Sequence, residues 1–323
     1  PAADTVLSVT THTITLAGRL YYNGSYHPYR RTYRWGDFLG NGKAQLLAMS
    51  YSNNGYGNSQ TPYTALIDLE TGHVLYLAHT KKKQVVYDFM NFVGDEWMQN
   101  VKAVASDMNA DYGNAFQERY PDIKIVYDHF HIVKNFNEKV VSEVRKDEQK
   151  RLADEGNTEA AKALKKTKYI LTASRKTLQK KDKESSENKV IRKESQLFKT
   201  PVVTRKGNYE TKYDELISEN KLLFSVDLIK EKLSQAYKLT DKHSMINAVS
   251  EIISICIETG NEHFIRFAKL LNSHFDGIVS HAVFKISSGK IEGINQKIKT
   301  IRRSGYGYPD DEYFFLKIMD SSY

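Results

Sequence analysis

The chain has 323 residues, 40% of them hydrophobic and 27% charged, with a formal net charge of +8. That much apolar material excludes a wholly disordered chain, and the length leaves room for two domains. No apolar run approaches the roughly 18–20 residues needed to cross a bilayer, and the lone cysteine, Cys256, cannot form an internal disulfide.

From the first residue, Pro1-Ala2-Ala3-Asp4 offers neither a basic nor an apolar leader region. With one thiol, this predicts a cytoplasmic protein without membrane contact, and the positive charge points to a polyanionic partner. Residues 1–80 hold one lysine, Lys43, and nine of the 21 tyrosines, with five basic groups against four acidic. Short alternations such as Thr13-Ile14-Thr15-Leu16 predict strands joined by turns. From Lys81-Lys82-Lys83 onward lysine dominates, and an abrupt shift of this kind marks a domain boundary.

Gly36-Asp37-Phe38-Leu39-Gly40-Asn41-Gly42-Lys43-Ala44-Gln45 resembles the calcium loop of FG-GAP-type surface repeats. Leu39, Asn41 and Gln45 stand where that loop carries other ligands, which leaves Asp37 as its only acid. The segment therefore reads as a strand-turn-strand whose glycines permit positive φ.

Next, Pro62–Leu69 and His73–Ala78 flank Glu70-Thr71-Gly72 as a hairpin. Val85, Phe89, Phe92, Val93 and Trp97 give helical spacing over 83–98. An apolar strand over 101–106 runs into Asp107, a helix follows over about 110–119, and a second strand over 123–127 runs into Asp128. A helix then places Phe130, Val133, Val140, Val141 and Val144 on one stripe. The order β-β-α-β-α-β-α predicts an α+β protein with an RNase H-like mixed sheet and flanking helices. Residues 138–200 are Lys/Glu-rich, with 180–195 read as a solvated stretch, and 213–280 return to amphipathic helices. Together these make a helical insertion at about 150–280. Near the C-terminus Ile291, Ile294, Ile298 and Ile301 form a buried stripe, with Glu292, Asn295, Gln296, Lys299 and Arg303 on the adjoining polar face.

Functional groups of α/β sheets gather outside the carboxyl ends of strands. Carboxylates converging there can hold two Mg²⁺ ions about 3.5–4 Å apart for phosphodiester chemistry. A single Asp after a strand is more often a helix cap, and His129 with His131 lacks further ligands at zinc spacing.

Local sequence sharpens the choice. Ala105-Ser106-Asp107-Met108-Asn109-Ala110-Asp111-Tyr112 and Asp128-His129-Phe130-His131-Ile132-Val133-Lys134 resemble the DDE transposases of bacterial insertion sequences, in the subgroup marked by D-x-F-H-x-x-K. Ser288-Gly289-Lys290-Ile291-Glu292-Gly293-Ile294-Asn295 resembles that family's final-carboxylate helix, and Arg302-Arg303-Ser304-Gly305-Tyr306-Gly307-Tyr308 continues the match. The resemblance covers about residues 63–323. It implies that Asp107 and Glu292 are the second and third carboxylates of the triad and bind Mg²⁺ or Mn²⁺, with Asp128 a secondary site residue. Lys134, Lys297, Lys299, Arg302 and Arg303 become candidate contacts to DNA phosphates. The implied partners are terminal-repeat and target DNA, and a homo-oligomer is compatible.

One departure stands out: the family's first catalytic aspartate lies on the strand before the hairpin, and no matching aspartate is found there. The family's N-terminal zinc-finger and helix-turn-helix regions are not matched either. The expectation is thus a truncated, catalytically incomplete transposase at 62–323, fused to an FG-GAP-like segment at 1–61. The alternatives are a surface or interaction protein built on that segment, or a non-catalytic DNA-binding regulator.

Overall fold

A computed structural model describes residues 4–9, 12–17, 21–22, 25–26, 45–54, 61–78, 82–106, 108, 110–185, 190–191, 202–203, 207–286, 289–305, 308 and 311–321. They form two compact units. One comprises Pro1–His131, Thr240–Lys242 and His274–Tyr323, and the other Ile132–Leu239 and His243–Ser273.

The first unit begins with two antiparallel hairpins, β1 (Asp4–Val9) with β2 (His12–Ala17) and β3 (Tyr21–Tyr22) with β4 (Ser25–Tyr26). Its centre is a five-stranded mixed sheet of β5 (Gln45–Asn54), β6 (Thr61–Asp68), β7 (Val74–Ala78), β8 (Val101–Ser106) and β9 (Lys124–Tyr127), in the order β7-β6-β5-β8-β9. β6 runs antiparallel to β5 and β7, whereas β5, β8 and β9 run parallel. The expected domain boundary at 61/62 thus falls just inside β6, and its hydrogen-bonded partner β5, the middle strand of the sheet, comes from before it. The FG-GAP-like loop over 36–44, including Asp37, lies outside the described residues.

Period-two alternation decides which side chains point to which face. Tyr63, Ala65, Ile67 and Leu69 of the β6 segment share one core with Ala103, Ala105 and Val126. That face is covered by Ile291 and Ile298 of α14 (Gly289–Ser304) and by Phe314, Phe315, Ile318 and Met319 of α15 (Asp311–Ser321). Another aromatic group joins α1 (Gln84–Val93) and α2 (Asp95–Met98) to the sheet: Tyr76 meets Phe89 edge-on at 5.8 Å, and Phe89 meets Trp97 at 5.8 Å. α3 (Ala110–Arg119) buries Tyr112, Ala115 and Phe116.

The helical unit starts within α4 (His129–Phe136), which continues through a π-turn at Asn137–Val141 into α5 (Ser142–Asp154). The sequence stripe needs correction here. Phe130 is 47% exposed and Val133 only half-buried, whereas Ile132, Phe136, Val140, Val141 and Val144 are buried. The wider π-turn inserts a residue, so neighbours Val140 and Val141 both reach the core and 3.6-residue spacing misassigns the face. Phe136 packs on Phe267 at 4.9 Å, in α12 (Glu262–Ser273).

Between these lie α6 (Thr158–Leu164), α7 (Lys168–Thr172), α8 (Arg175–Glu184), α9 (Tyr209–Ser218), α10 (Lys221–Ala236) and α11 (Lys242–Glu258). α8 overlaps the stretch read as solvated and buries Leu178; a minimal strand pair, Val190–Ile191 with Val202–Val203, follows. Buried Glu148 accepts from Arg151 and from Asn220, whose Oδ1 also caps α10 by accepting from the Leu223 amide at 3.0 Å. A buried carboxylate persists only when satisfied in this way.

Lys230 is the costly group of this unit. Its Nζ donates to the carbonyls of Leu171 (2.8 Å) and Ala173 (2.7 Å) and lies 5.0 Å from the centre of the Tyr213 ring. Asp227, which accepts from Tyr213 and from Arg175, is the nearby anion. Burial pushes the ammonium down to about 8, against the pull of Asp227. Below pH 8 folded and unfolded chains both hold the proton, and the cost of burying the charge is fully present. Above 8 the folded lysine releases a proton that the unfolded chain retains to about 10.5, so stability gains on the order of 3 kcal/mol across that window. Urea unfolding of the wild type and Lys230→Met at pH 7 to 10 should show that gain in the wild type alone. Parallel pH profiles would mean that Lys230 stays charged throughout.

Candidate active site

β8 and β9 are parallel and level at their ends, with Ser106 paired to Tyr127. The residues that follow these adjacent ends are Asp107 and Asp128. Asp107 lies outside the described residues, whereas Asp128 is buried. The end of β9 is held by α13 (Phe275–Phe284), which approaches closely because Gly277 has no side chain: a Cβ there would stand 2.4 Å from the Tyr127 ring. His274, just before that helix, meets Tyr127 edge-on at 5.0 Å.

α13 also brings His281, a residue that sequence reading did not single out. Burial pushes both the His129 and His281 imidazoles below their ordinary value, while the Asp128 carboxylate pulls each back up. Lys285, in a left-handed cap after α13, further disfavours charge on His281. Asp128 therefore sits in a field shared with two histidines. A signal was absent because His281 lies 153 positions away in sequence.

Glu292 stands in the first turn of α14, half-exposed, where the helix dipole favours an acid. The helix is anchored by its neighbour. Lys290 Nζ donates to the carbonyls of Leu69 (2.6 Å) and Glu70 (2.9 Å) in the β6–β7 turn. The same turn consumes Asp68, which accepts from the Glu70 amide at 2.9 Å and the Thr71 hydroxyl at 2.7 Å.

The candidate DNA-binding cations differ in their surroundings. Lys297 donates to the Ser321 carbonyl, and Arg302 lies over the Phe314 ring at 5.3 Å. Lys299 is half-buried, while Arg303 and Lys134 are exposed. Two of the five thus hold α15 in place.

No group of three or more His, Cys, Asp or Glu side chains able to hold a metal is found among the described residues. β5, the parallel neighbour of β8, contributes Gln45-Leu46-Leu47-Ala48-Met49-Ser50-Tyr51-Ser52-Asn53-Asn54 and no carboxylate. Asp68 is committed to its turn. Among the described residues, these donors do not make up a site for a pair of divalent ions.

The family model DDE_Tnp_ISL3, described as "Transposase", matches residues 55–318. The chain belongs to this transposase family. It is also similar to the transposase for insertion sequence element IS1001 of Bordetella parapertussis, 26% identical over 255 residues, which cover 79% of the chain and 56% of that relative. The chain spans just over half the length of the curated relative it matches. The family in general uses divalent metal and acts on DNA, which does not favour the surface-protein alternative. Among the described residues, no helix is long and apolar enough to cross a membrane.

Proposed function

We propose that the chain is an insertion-sequence transposase domain of RNase H-like fold, able to engage DNA but lacking the first carboxylate of its triad. The five-stranded order, with antiparallel β6 between β7 and the parallel run β5-β8-β9, supports the fold assignment. One observation carries the incompleteness: β5 is in parallel register with β8, Ala48 opposite Ala105, and holds neither Asp nor Glu. Ser50 is two residues beyond Ala48 just as Asp107 is two beyond Ala105, so Ser50 occupies the sequence position where a partner acid is needed.

In this reading Asp107 and Glu292 would hold a single divalent ion, which when bound supplies Lewis-acid stabilisation of phosphate oxygens. Asp128 keeps the neutral imidazoles of His129 and His281 oriented. Arg303, Lys134 and Lys299 are the cations left to meet DNA phosphates, with Arg302 and Lys297 contributing through the packing of α15. The cytoplasm is the expected compartment, and self-association is compatible with DNA-end pairing.

The test is strand transfer with Mg²⁺ or Mn²⁺ on DNA carrying the matching terminal repeats. The expected result is DNA binding, measured by mobility shift, without cleaved or joined product. Robust product abolished by Asp107→Asn would overturn the incompleteness, and an absence of DNA binding at low salt would overturn the assignment as a DNA-engaging domain.

A further inference from the structure

The helical unit contains a pocket of about 390 Å³ lined by Asn135, Lys139, Glu143, His263, Arg266, Phe267 and Leu270. That volume falls within the range of small-molecule sites. The pocket lies on residues of α4, the π-turn, α5 and α12, and π-turns are frequent at functional sites.

Its polar groups are unevenly matched. Glu143 is paired with Lys146 at 2.7 Å and Arg266 with Glu262 at 2.8 Å. Lys139, in the π-turn and exposed, has no anionic partner among the described residues. His263 is 8% exposed, and its Nε2 lies 2.7 Å from the Asp147 carboxylate, which fixes the proton on that nitrogen. The other ring nitrogen, Nδ1, is an acceptor in the neutral ring, and it is buried and without a hydrogen-bond partner among the described residues. A buried polar atom left unsatisfied costs stability, and a ligand donor would relieve it. The apolar part of the lining is Phe267, fixed by its contact with Phe136, together with Leu270.

A ligand that answers all of these features has an anionic group for Lys139, a flat body for Phe267 and Leu270, and N–H donors for His263 and Glu143. We propose that this pocket binds one unpaired nucleotide, its phosphate at Lys139 and its base against Phe267, favouring guanine because its pairing edge presents adjacent N–H donors. The site rests on the pocket's own chemistry. Only the source of the nucleotide, a free nucleotide or one extruded from DNA, depends on the transposase reading.

The test uses the full chain in calorimetric titrations with free dGMP and with dTMP, and in fluorescence titrations of a duplex with or without one bulged guanine flanked by a 2-aminopurine reporter. Binding of dGMP or of the bulged duplex, weakened roughly tenfold by Lys139→Gln or His263→Gln, is the expected result. Melting temperatures of both variants would be compared with the wild type, and Arg266→Gln, whose charge is already paired, should have a smaller effect. Bulge-selective binding without free-nucleotide binding identifies DNA as the source; free-nucleotide binding in a chain that fails to bind duplex supports the pocket while sinking the DNA reading. Absence of both, or affinity unchanged in Lys139→Gln and His263→Gln, would overturn the proposal.

Discussion

Gly277→Ala is expected to destabilise the sheet-containing unit by about 2–3 kcal/mol. The added Cβ would meet Tyr127 ring carbons at 2.4 Å and the Ile125 carbonyl at 3.3 Å. The Tyr127 ring is buried and held by His274, so it cannot swing into solvent to make room. Alanine's better helix propensity, worth about 1 kcal/mol, offsets only part of the clash. Urea unfolding should show a lower midpoint at unchanged slope, with partial recovery in the double variant Gly277→Ala/Tyr127→Leu. An unchanged midpoint would mean that α13 can move off β9 at no cost. Because α13 also carries His281, the near-ultraviolet signal of Tyr127 and the titration of His281 should change together in the variant.

The second large effect concerns metal. Two carboxylates brought together without a third repel one another, and a divalent ion relieves that repulsion. Manganese relaxation titrations are therefore expected to show about one weak site, lost or strongly weakened in Asp107→Asn and in Glu292→Gln. Ser50→Asp should restore the missing ligand and add a second ion or tighten the first by at least about tenfold. Asp68→Asn should leave metal affinity unchanged and instead weaken the hairpin, because the Asp68 carboxylate is occupied by the Glu70 amide and the Thr71 hydroxyl. Two tight sites in the wild type would show that another acid has replaced the first carboxylate. No site at all would show that Asp107 and Glu292 do not share an ion.

Several elements were legible because their signals are local. The apolar run 101–106 and the helix over 110–119 are β8 and α3, and the Glu70-Thr71-Gly72 turn joins β6 to β7, with Gly72 at φ +85°. The buried stripe of α14 also follows its sequence, with Ile291 and Ile298 buried and Ile294 and Ile301 packed beside them. What escaped has a non-local cause. β5 lies in a tyrosine- and glycine-rich stretch whose composition differs from the rest, yet a strand becomes central through its partners, and β6 and β8 come later in the chain. Phe130 and Val133 were assigned to the core because the π-turn that shifts the helix face leaves no mark on apolar spacing. Asp68 has the sequence look of a strand-end acid, and only the turn's hydrogen bonds show its work. At the candidate site, Glu292 and Asp128 could be picked out by motif, whereas His281 reaches Asp128 only through the docking of α13 on β9.

Lys290 reaches back 221 positions to grasp the Leu69 carbonyl. The helices that cover one face of the sheet are made well after its strands. At a synthesis rate of about 5–20 residues per second, the β6–β7 turn emerges roughly ten to forty seconds before the lysine that clamps it. Throughout that interval Tyr63, Ala65, Ile67 and Ala103 form an apolar sheet face without its lid, the kind of surface that chaperones bind and that neighbouring nascent chains adhere to. Yield in the cell should therefore depend on how quickly the ribosome delivers residues 289–321, more than on the intrinsic strength of the sheet they close.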